Sequence, residues 1–127
     1  MDAPCTGLGA IRRRPESRWR KSEGDLKELL PLQRQLLESA YQLLNPGGML
    51  AYVTCSPHLW ETKGQLLDLL GAHKDLEIVN AHTLIDNSEL KNKERLQEAV
   101  LPNGSLQMWG DVQGTDSMFL VVVREGA

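Results

Sequence analysis

The sequence predicts an α/β fold, and three features of its first half support this. Met49 to Val53 is a short apolar run, partly β-branched, after a Pro-Gly-Gly turn, and it is predicted to be a buried strand. Residues 1–7 have the pattern of the exit of a second strand. Between them, leucines recur at three- and four-residue spacing from Leu26 to Leu44, which indicates one apolar helix face. This order predicts a βαβ unit with parallel strands and a right-handed crossover.

The remaining elements are predicted from the same kinds of pattern. Pro31 falls inside the leucine spacing, so we expect a break or kink there, with Asp25 capping the first part of the helix. Residues 82–100 are polar and are predicted to be an exposed insertion with some helix. The other predicted elements are a helix from Glu61 to about Ala72, a strand at Leu76–Val79, and a final pair of strands at Ser105–Trp109 and Met118–Arg124 joined as a hairpin.

Length and composition limit the possible classes of protein. The chain has 127 residues, enough for one domain over residues 1–127 but few for a doubly wound enzyme. It has neither an apolar run of about 18 residues nor the pattern of a secretory signal, so we expect no membrane span and a cytoplasmic location. Two cysteines in a reducing compartment favour catalysis or burial over a disulfide.

The net charge of −3 conceals a basic segment. Residues 12–21 contain six basic side chains and one acidic side chain, whereas the rest of the chain has 8 basic and 16 acidic residues. Such a segment can neutralise several phosphates, and it predicts salt-dependent binding of nucleic acid. A solvated loop is the alternative. The predicted RNA-binding residues are Arg12, Arg13, Arg14, Arg18, Arg20 and Lys21.

The two cysteines follow the two predicted strands of the βαβ unit. Cys55 comes directly after residues 49–54, and Cys5 follows Asp2 in the first strand exit. Because neighbouring parallel strands end at the same edge of a sheet, we expect both thiols to face one crevice with Asp2 at its rim. Each cysteine considered alone is more typical of a small buried apolar residue.

Other candidate groups near this crevice give weaker signals. No Cys-x-x-Cys motif or paired histidines accompany the cysteines, so a zinc site is not predicted. His58 lies close enough in sequence to influence the pKa of Cys55, although a surface histidine is the simpler interpretation. Glu61 is assigned to the N-terminus of the following helix, where a carboxylate complements the helix dipole.

Six motifs stand in order along the chain: Asp2-Ala3-Pro4-Cys5-Thr6-Gly7-Leu8-Gly9, the run from Arg12 to Trp19, Leu32-Gln33, Pro46-Gly47-Gly48, Thr54-Cys55-Ser56-Pro57 and the run from Gln113 to Phe119. Together they resemble the Sun-type (NSUN/RsmB-like) RNA cytosine-5 methyltransferases. The match extends in order over nearly the whole chain. It implies the C-terminal half of a Rossmann-like S-adenosylmethionine-dependent methyltransferase fold, with a mixed sheet and an antiparallel last strand.

The resemblance implies a role for each site residue. Cys55 would be the nucleophile that adds to carbon 6 of cytosine, so that carbon 5 can accept a methyl group from S-adenosylmethionine. Cys5 would assist release of the methylated RNA. Asp2 would lie against the cofactor and the cytosine, and the basic segment would hold the RNA backbone, with ribosomal RNA as the implied substrate.

The chain also departs from the family pattern. The glycine-rich loop that holds S-adenosylmethionine precedes the Asp-Ala-Pro-Cys motif in the family and is absent here, and Thr62 and Lys63 replace a more Asn/Glu-like stretch. We therefore expect weak cofactor binding, little activity from this segment alone, and a homodimer through the open half-sheet. The alternatives are a non-catalytic RNA-binding or interaction module and, less favoured, a thiol redox protein that uses Cys5 and Cys55.

Overall fold

The computed structural model describes residues 1–5, 23–56, 58–91, 93–109 and 117–126. Helices and strands alternate over the first part of the chain, and two short helices precede the last two strands. In chain order the elements are α1 (Glu23–Gln42), β1 (Met49–Thr54), α2 (Lys63–Ala72), β2 (Leu76–Val79), α3 (Ala81–Asp86), α4 (Lys93–Glu98), β3 (Leu106–Met108) and β4 (Met118–Glu125).

The last strand, β4, lies at the centre of the sheet formed by these strands. It pairs antiparallel with β1 on one side, where Tyr52 lies opposite Val121, and with β2 on the other, where Ile78 lies opposite Val123. The short β3 also pairs antiparallel with β4, through residues 118–120. The predicted hairpin and the antiparallel last strand are therefore confirmed, while residues 110–116 between β3 and β4 lie outside the described part of the chain.

The N-terminal residues extend the sheet on the far side of β1. Asp2 forms a parallel bridge with Val53. The Ala3 amide donates a hydrogen bond to the Val53 carbonyl at 2.9 Å, and the Val53 amide donates to the Met1 carbonyl at 2.9 Å. This geometry confirms the predicted pair of parallel neighbours linked through α1, and it makes the sheet mixed.

The expected break at Pro31 is wrong, because α1 continues through this residue. The helix also begins at Glu23, two residues before the predicted cap at Asp25. Proline has no N–H, so the carbonyl of Lys27 loses its helical donor. Lys27 is exposed, and water can satisfy that carbonyl at little cost. Burial of Leu37 on the sheet side of the helix favours one continuous element.

Apolar side chains form two clusters on opposite faces of the sheet, because successive residues of a strand point to opposite sides. Phe119 and Val121 belong to the larger cluster with residues of α1, β1 and α2, whereas Leu120 packs against the smaller one. The smaller cluster consists of Ala81, Ile85, Ala99 and Leu106. Residues 82–100 are thus only partly the exposed insertion that was predicted, since sparse apolar residues of α3 and α4 cover the sheet.

One side of α1 exposes apolar side chains. Leu32 is 42% exposed, Leu36 is 38% exposed, and Leu43, just after the helix, is 84% exposed. Exposed apolar surface of this kind is compatible with association, and the homodimer stays a prediction. Within the described ranges, none of the helices combines the length and the hydrophobicity needed to cross a membrane.

Candidate functional site

Both predicted cysteines lie just beyond the carboxyl ends of two adjacent parallel strands. Cys55 follows the last residue of β1, and Cys5 lies three residues after Asp2, which pairs with Val53 of β1. Neither thiol is part of a disulfide, and both are half-buried. Both cysteines therefore follow strand ends at the same edge of the sheet, and neither is fully buried. That both thiols face one crevice stays a prediction. We call residues 3–5 the Cys5 loop and the described residues 55, 56 and 58 the Cys55 loop.

The other predicted site residues are less fully described. Asp2 is exposed beside Val53, at the strand end that leads into the Cys5 loop. Its assignment to the cofactor stays a prediction. Six predicted RNA-binding residues lie outside the described part of the chain, namely Arg12, Arg13, Arg14, Arg18, Arg20 and Lys21.

A buried carboxylate lies beside the Cys55 loop. Glu61 is 0% exposed, and its Oε2 accepts a hydrogen bond of 2.5 Å from the Ser56 hydroxyl. Its Oε1 accepts a hydrogen bond of 3.1 Å from Gln33 Nε2, on α1. The prediction that Glu61 serves the N-terminus of α2 is therefore incomplete, because its carboxylate contacts Gln33 and Ser56 in the interior.

The second half of the network leads to the Cys5 loop. Gln33 Nε2 also donates a hydrogen bond of 2.9 Å to the carbonyl of Pro4, the residue before Cys5. Gln33 Oε1 accepts a bond of 3.3 Å from Gln65 Nε2, on α2. One set of buried polar groups thus joins α1, α2 and both cysteine loops.

Sequence reasoning missed the roles of Gln33, Ser56 and Glu61. A signal was present for Gln33, because it occupies the position between Leu26 and Leu37 on the buried stripe of α1, where an apolar residue is expected. A polar side chain at such a position requires buried partners. The sequence did not indicate which partners these are.

His58 contributes to the turn after Cys55. Its Nδ1 accepts a hydrogen bond of 3.2 Å from the Trp60 amide, and its own amide donates to Ser56 Oγ at 3.1 Å. Its ring centroid lies 5.4 Å from that of Trp60. These contacts give His58 a structural role in the Cys55 loop, and an influence on the thiol stays a prediction.

The other two histidines take part in side-chain contacts away from the cysteines. His73 pairs with Glu38 at 2.8 Å and stacks on Tyr41 with a centroid separation of 3.6 Å. His82 Nδ1 is hydrogen-bonded to Gln97. In the described ranges, the His, Cys, Asp and Glu side chains form no group of three or more that could hold a metal ion.

Tyr52 connects β1 to the same network. Its hydroxyl donates a hydrogen bond of 2.6 Å to the carbonyl of Glu61. Burial raises the pKa of Tyr52, and the nearby charges of Glu61 and Cys5 raise it further.

The raised pKa of Tyr52 predicts a loss of stability at alkaline pH. A raised folded-state pKa contributes stability that is fully present below the unfolded value of about 10 and is lost as the pH rises through the higher folded value. We expect Tyr52→Phe to lower the free energy of unfolding by about 1–3 kcal/mol near pH 7, because the Glu61 carbonyl loses its buried donor. Because Tyr52→Phe has no phenol at position 52 to titrate, its free energy of unfolding should fall less between pH 9 and pH 11 than that of the parent protein does. Chemical denaturation across this range measures both effects.

Tyr41→Phe is the control for this measurement. The pKa of Tyr41 is also raised, first by its hydrogen bond to Asp75, but Tyr41 lies away from the cysteine loops. Absorbance of tyrosinate separates the two titrations when each variant is compared with the parent. An alkaline loss as steep in Tyr52→Phe as in the parent would contradict the assignment to Tyr52.

The fold is that of an α/β domain of the Rossmann-like methyltransferase class. The family model of the 16S rRNA methyltransferase RsmB/F matches residues 1–124. The chain belongs to this family, and the resemblance in the sequence motifs is confirmed.

Individual comparisons agree with this membership. A Mycobacterium tuberculosis protein, Rv1407, whose name describes it as a methyltransferase, is 44% identical over 124 residues, covering 98% of this chain and 25% of the relative. The crystal structure of PH0851 superposes with a TM-score of 0.79 at 34% identity, over 96% of this chain and 25% of that one. The chain therefore spans about a quarter of the length of these relatives.

A more distant structure shares the fold. NSun6 from Pyrococcus horikoshii, solved with SFG, superposes with a TM-score of 0.75 at 21% identity. The match covers 100% of this chain and 29% of NSun6.

Proposed function

We propose that this chain supplies the catalytic thiols of an RNA cytosine-5 methyltransferase that acts on ribosomal RNA. The observation that carries the proposal is the placement of Cys5 and Cys55 beyond the ends of adjacent parallel strands, half-buried, with their loops joined by one buried network. Ligands of open α/β sheets bind at this edge. Membership of the RsmB/F family supports ribosomal RNA as the substrate, and such a substrate implies a cytoplasmic location.

The proposed reaction uses Cys55 as a covalent catalyst. Carbon 5 of cytosine is a weak nucleophile, and addition of the Cys55 thiolate to carbon 6 makes carbon 5 enamine-like. The electron pair of that enamine would displace the methyl group from the sulfonium sulfur of S-adenosylmethionine, so that the bond from carbon 5 to the methyl carbon forms as the sulfur–methyl bond breaks and S-adenosylhomocysteine leaves. A base then removes the proton from carbon 5, and the bond between Cys55 Sγ and carbon 6 breaks to return the thiolate.

The proposed role of Cys5 is to assist the last step. Its thiol would act when the methylated base leaves Cys55 and the RNA is released. Both thiols must then reach one pyrimidine ring, and the cytosine must leave its stack to enter the crevice. The basic side chains from Arg12 to Lys21 are proposed to hold the flanking phosphates.

The cofactor implied by this class is S-adenosylmethionine, which supplies the methyl group. Asp2 fits one part of a binding site for this cofactor, because it is exposed at the strand end that leads to Cys5. The structure of NSun6 with SFG, an analogue of S-adenosylmethionine, supports cofactor binding at this fold. Since the chain spans about a quarter of its relatives, we propose that segments beyond these 127 residues make most cofactor contacts.

A covalent trap tests the proposal on the full gene product that carries these residues. RNA with 5-fluorocytidine at the target position should form an adduct that survives denaturing electrophoresis, because fluorine at carbon 5 blocks the proton loss that precedes release. The adduct should require S-adenosylmethionine and should be lost in Cys55→Ser but kept in Cys5→Ser. Salt-dependent RNA binding without an adduct in the parent protein would instead support a non-catalytic RNA-binding module.

A further inference from the structure

We propose that Glu61 is a positioning residue that couples the Cys5 loop to the Cys55 loop. Its carboxylate holds one loop through Ser56 and the other through Gln33. The coupling itself stands on the geometry of the described residues, and only its consequence for methyl transfer rests on the proposed function.

The two carboxylate oxygens of Glu61 are divided between the two loops. Oε2 accepts from the hydroxyl of Ser56, which directly follows Cys55, at 2.5 Å. Oε1 accepts at 3.1 Å from Gln33 Nε2, which also donates at 2.9 Å to the carbonyl of Pro4. The two N–H groups of one amide nitrogen are thus shared between Glu61 and the residue before Cys5. The chain of hydrogen bonds from Ser56 to Pro4 therefore passes through only two side chains, those of Glu61 and Gln33.

Because they are buried, the two hydrogen bonds of the Glu61 carboxylate must be kept in the folded protein, whereas the bond from Gln33 to the Pro4 carbonyl is part-buried. Gln33, Ser56 and Glu61 are each 0% exposed, so water cannot replace a lost partner without a rearrangement. A buried polar network of this kind is rigid when every member is paired and loses several bonds when one member is removed. A displacement of either loop is therefore transmitted to the other.

The position of Glu61 is itself fixed from β1. The Tyr52 hydroxyl donates to the Glu61 carbonyl at 2.6 Å, and the Glu61 amide donates to the His58 carbonyl at 3.0 Å. The cap of α2 is formed at the next residue, Thr62, where the cap has no side-chain hydrogen bond. The carboxylate is therefore directed to the loops rather than to the end of the helix.

Coupling of the loops matters because both thiols are proposed to act on one cytosine. A displacement of about 1 Å between reacting groups can cost on the order of 10²-fold in rate. A network that fixes both loops from one carboxylate keeps the relative position of Cys5 and Cys55 constant. Glu61 is thus a positioning residue, which acts through Ser56 and Gln33 rather than on the substrate.

Alkylation rates of the two cysteines test the coupling. The full gene product is treated with iodoacetamide, and the modification of Cys5 and Cys55 is followed separately by peptide mass spectrometry. Ser56→Ala should change the rate at Cys5, and Gln33→Leu should change the rate at Cys55, each by about threefold or more. In each case the thiol that should respond lies in the loop that the substituted residue does not contact directly, so a local change cannot explain the effect. Glu61→Ala should change both rates.

Two variants control for structural damage. Glu61→Gln retains a carbonyl that can accept from Gln33 and an amide that can donate to Ser56 Oγ, so both rates should stay within about twofold of the parent. Ile85→Ala lies in the smaller cluster and should change neither rate well below its melting temperature. If Ser56→Ala leaves Cys5 unchanged and Gln33→Leu leaves Cys55 unchanged, the loops are independent and the proposal is wrong.

A second readout concerns methyl transfer. Glu61→Ala should lower kcat by roughly 10–100-fold with little change in RNA affinity, and Glu61→Gln should restore most of the rate. Equal loss in Glu61→Gln would overturn the positioning role. If the parent protein forms no 5-fluorocytidine adduct, the proposed function fails, while the alkylation rates still decide whether the loops are coupled.

Discussion

Replacement of Cys55 by alanine is expected to lower methyl transfer to ribosomal RNA by at least about 10³-fold in the full gene product. Without the thiol, carbon 6 of the cytosine cannot be attacked, and carbon 5 does not become nucleophilic enough to take the methyl group. Transfer of a radiolabelled methyl group from S-adenosylmethionine to RNA measures the loss. The fold should be unaffected, since Cys55 is half-buried and lies after β1 rather than within it.

Cys5→Ala is the matched control for this prediction. It removes a second half-buried thiol from the neighbouring loop, and it should preserve the first methylation of each enzyme molecule while slowing later turnovers. Single-turnover and multiple-turnover assays distinguish these outcomes. Multiple turnover in Cys55→Ala, or loss of the first turnover in Cys5→Ala alone, would reverse the proposed roles of the two thiols.

The elements that local patterns specify were predicted well. β1 begins at Met49 as predicted and ends at Thr54, one residue beyond the predicted apolar run, because a run after a Pro-Gly-Gly turn and before Ser56-Pro57 has clear limits at both ends. The edge at which both cysteines lie followed from the βαβ order alone, since parallel neighbours end at the same side. This inference required no knowledge of side-chain packing.

The features that were missed depend on contacts between distant residues. Gln33 and Glu61 are 28 positions apart, and neither forms a recognisable motif without the other. The continuity of α1 through Pro31 is likewise set by packing of the helix on the sheet, which outweighs the loss of one hydrogen bond. The small cluster under α3 and α4 contains few apolar residues, so its periodicity was too weak to indicate a buried face.

Phe119→Ala is expected to lower the free energy of unfolding by about 3–5 kcal/mol. Phe119 is 1% exposed on β4, the strand that pairs with the other three strands of the sheet. Its removal leaves a cavity in the larger cluster, and close-packed interiors collapse only partly around such a cavity. Chemical denaturation followed by far-UV circular dichroism measures the change.

Met49→Ala is the control, because Met49 is 60% exposed on β1 of the same sheet. The change in its free energy of unfolding should stay within about 0.5 kcal/mol.

The Phe119 ring also packs edge-on against Tyr52, with ring centroids 6.3 Å apart, and the Tyr52 hydroxyl donates a hydrogen bond to the Glu61 carbonyl. The cavity should therefore loosen the cysteine loops as well, so that alkylation of Cys5 and Cys55 changes in Phe119→Ala but not in Met49→Ala. A large loss of stability with unchanged alkylation would show that the loops are held independently of the core beneath them.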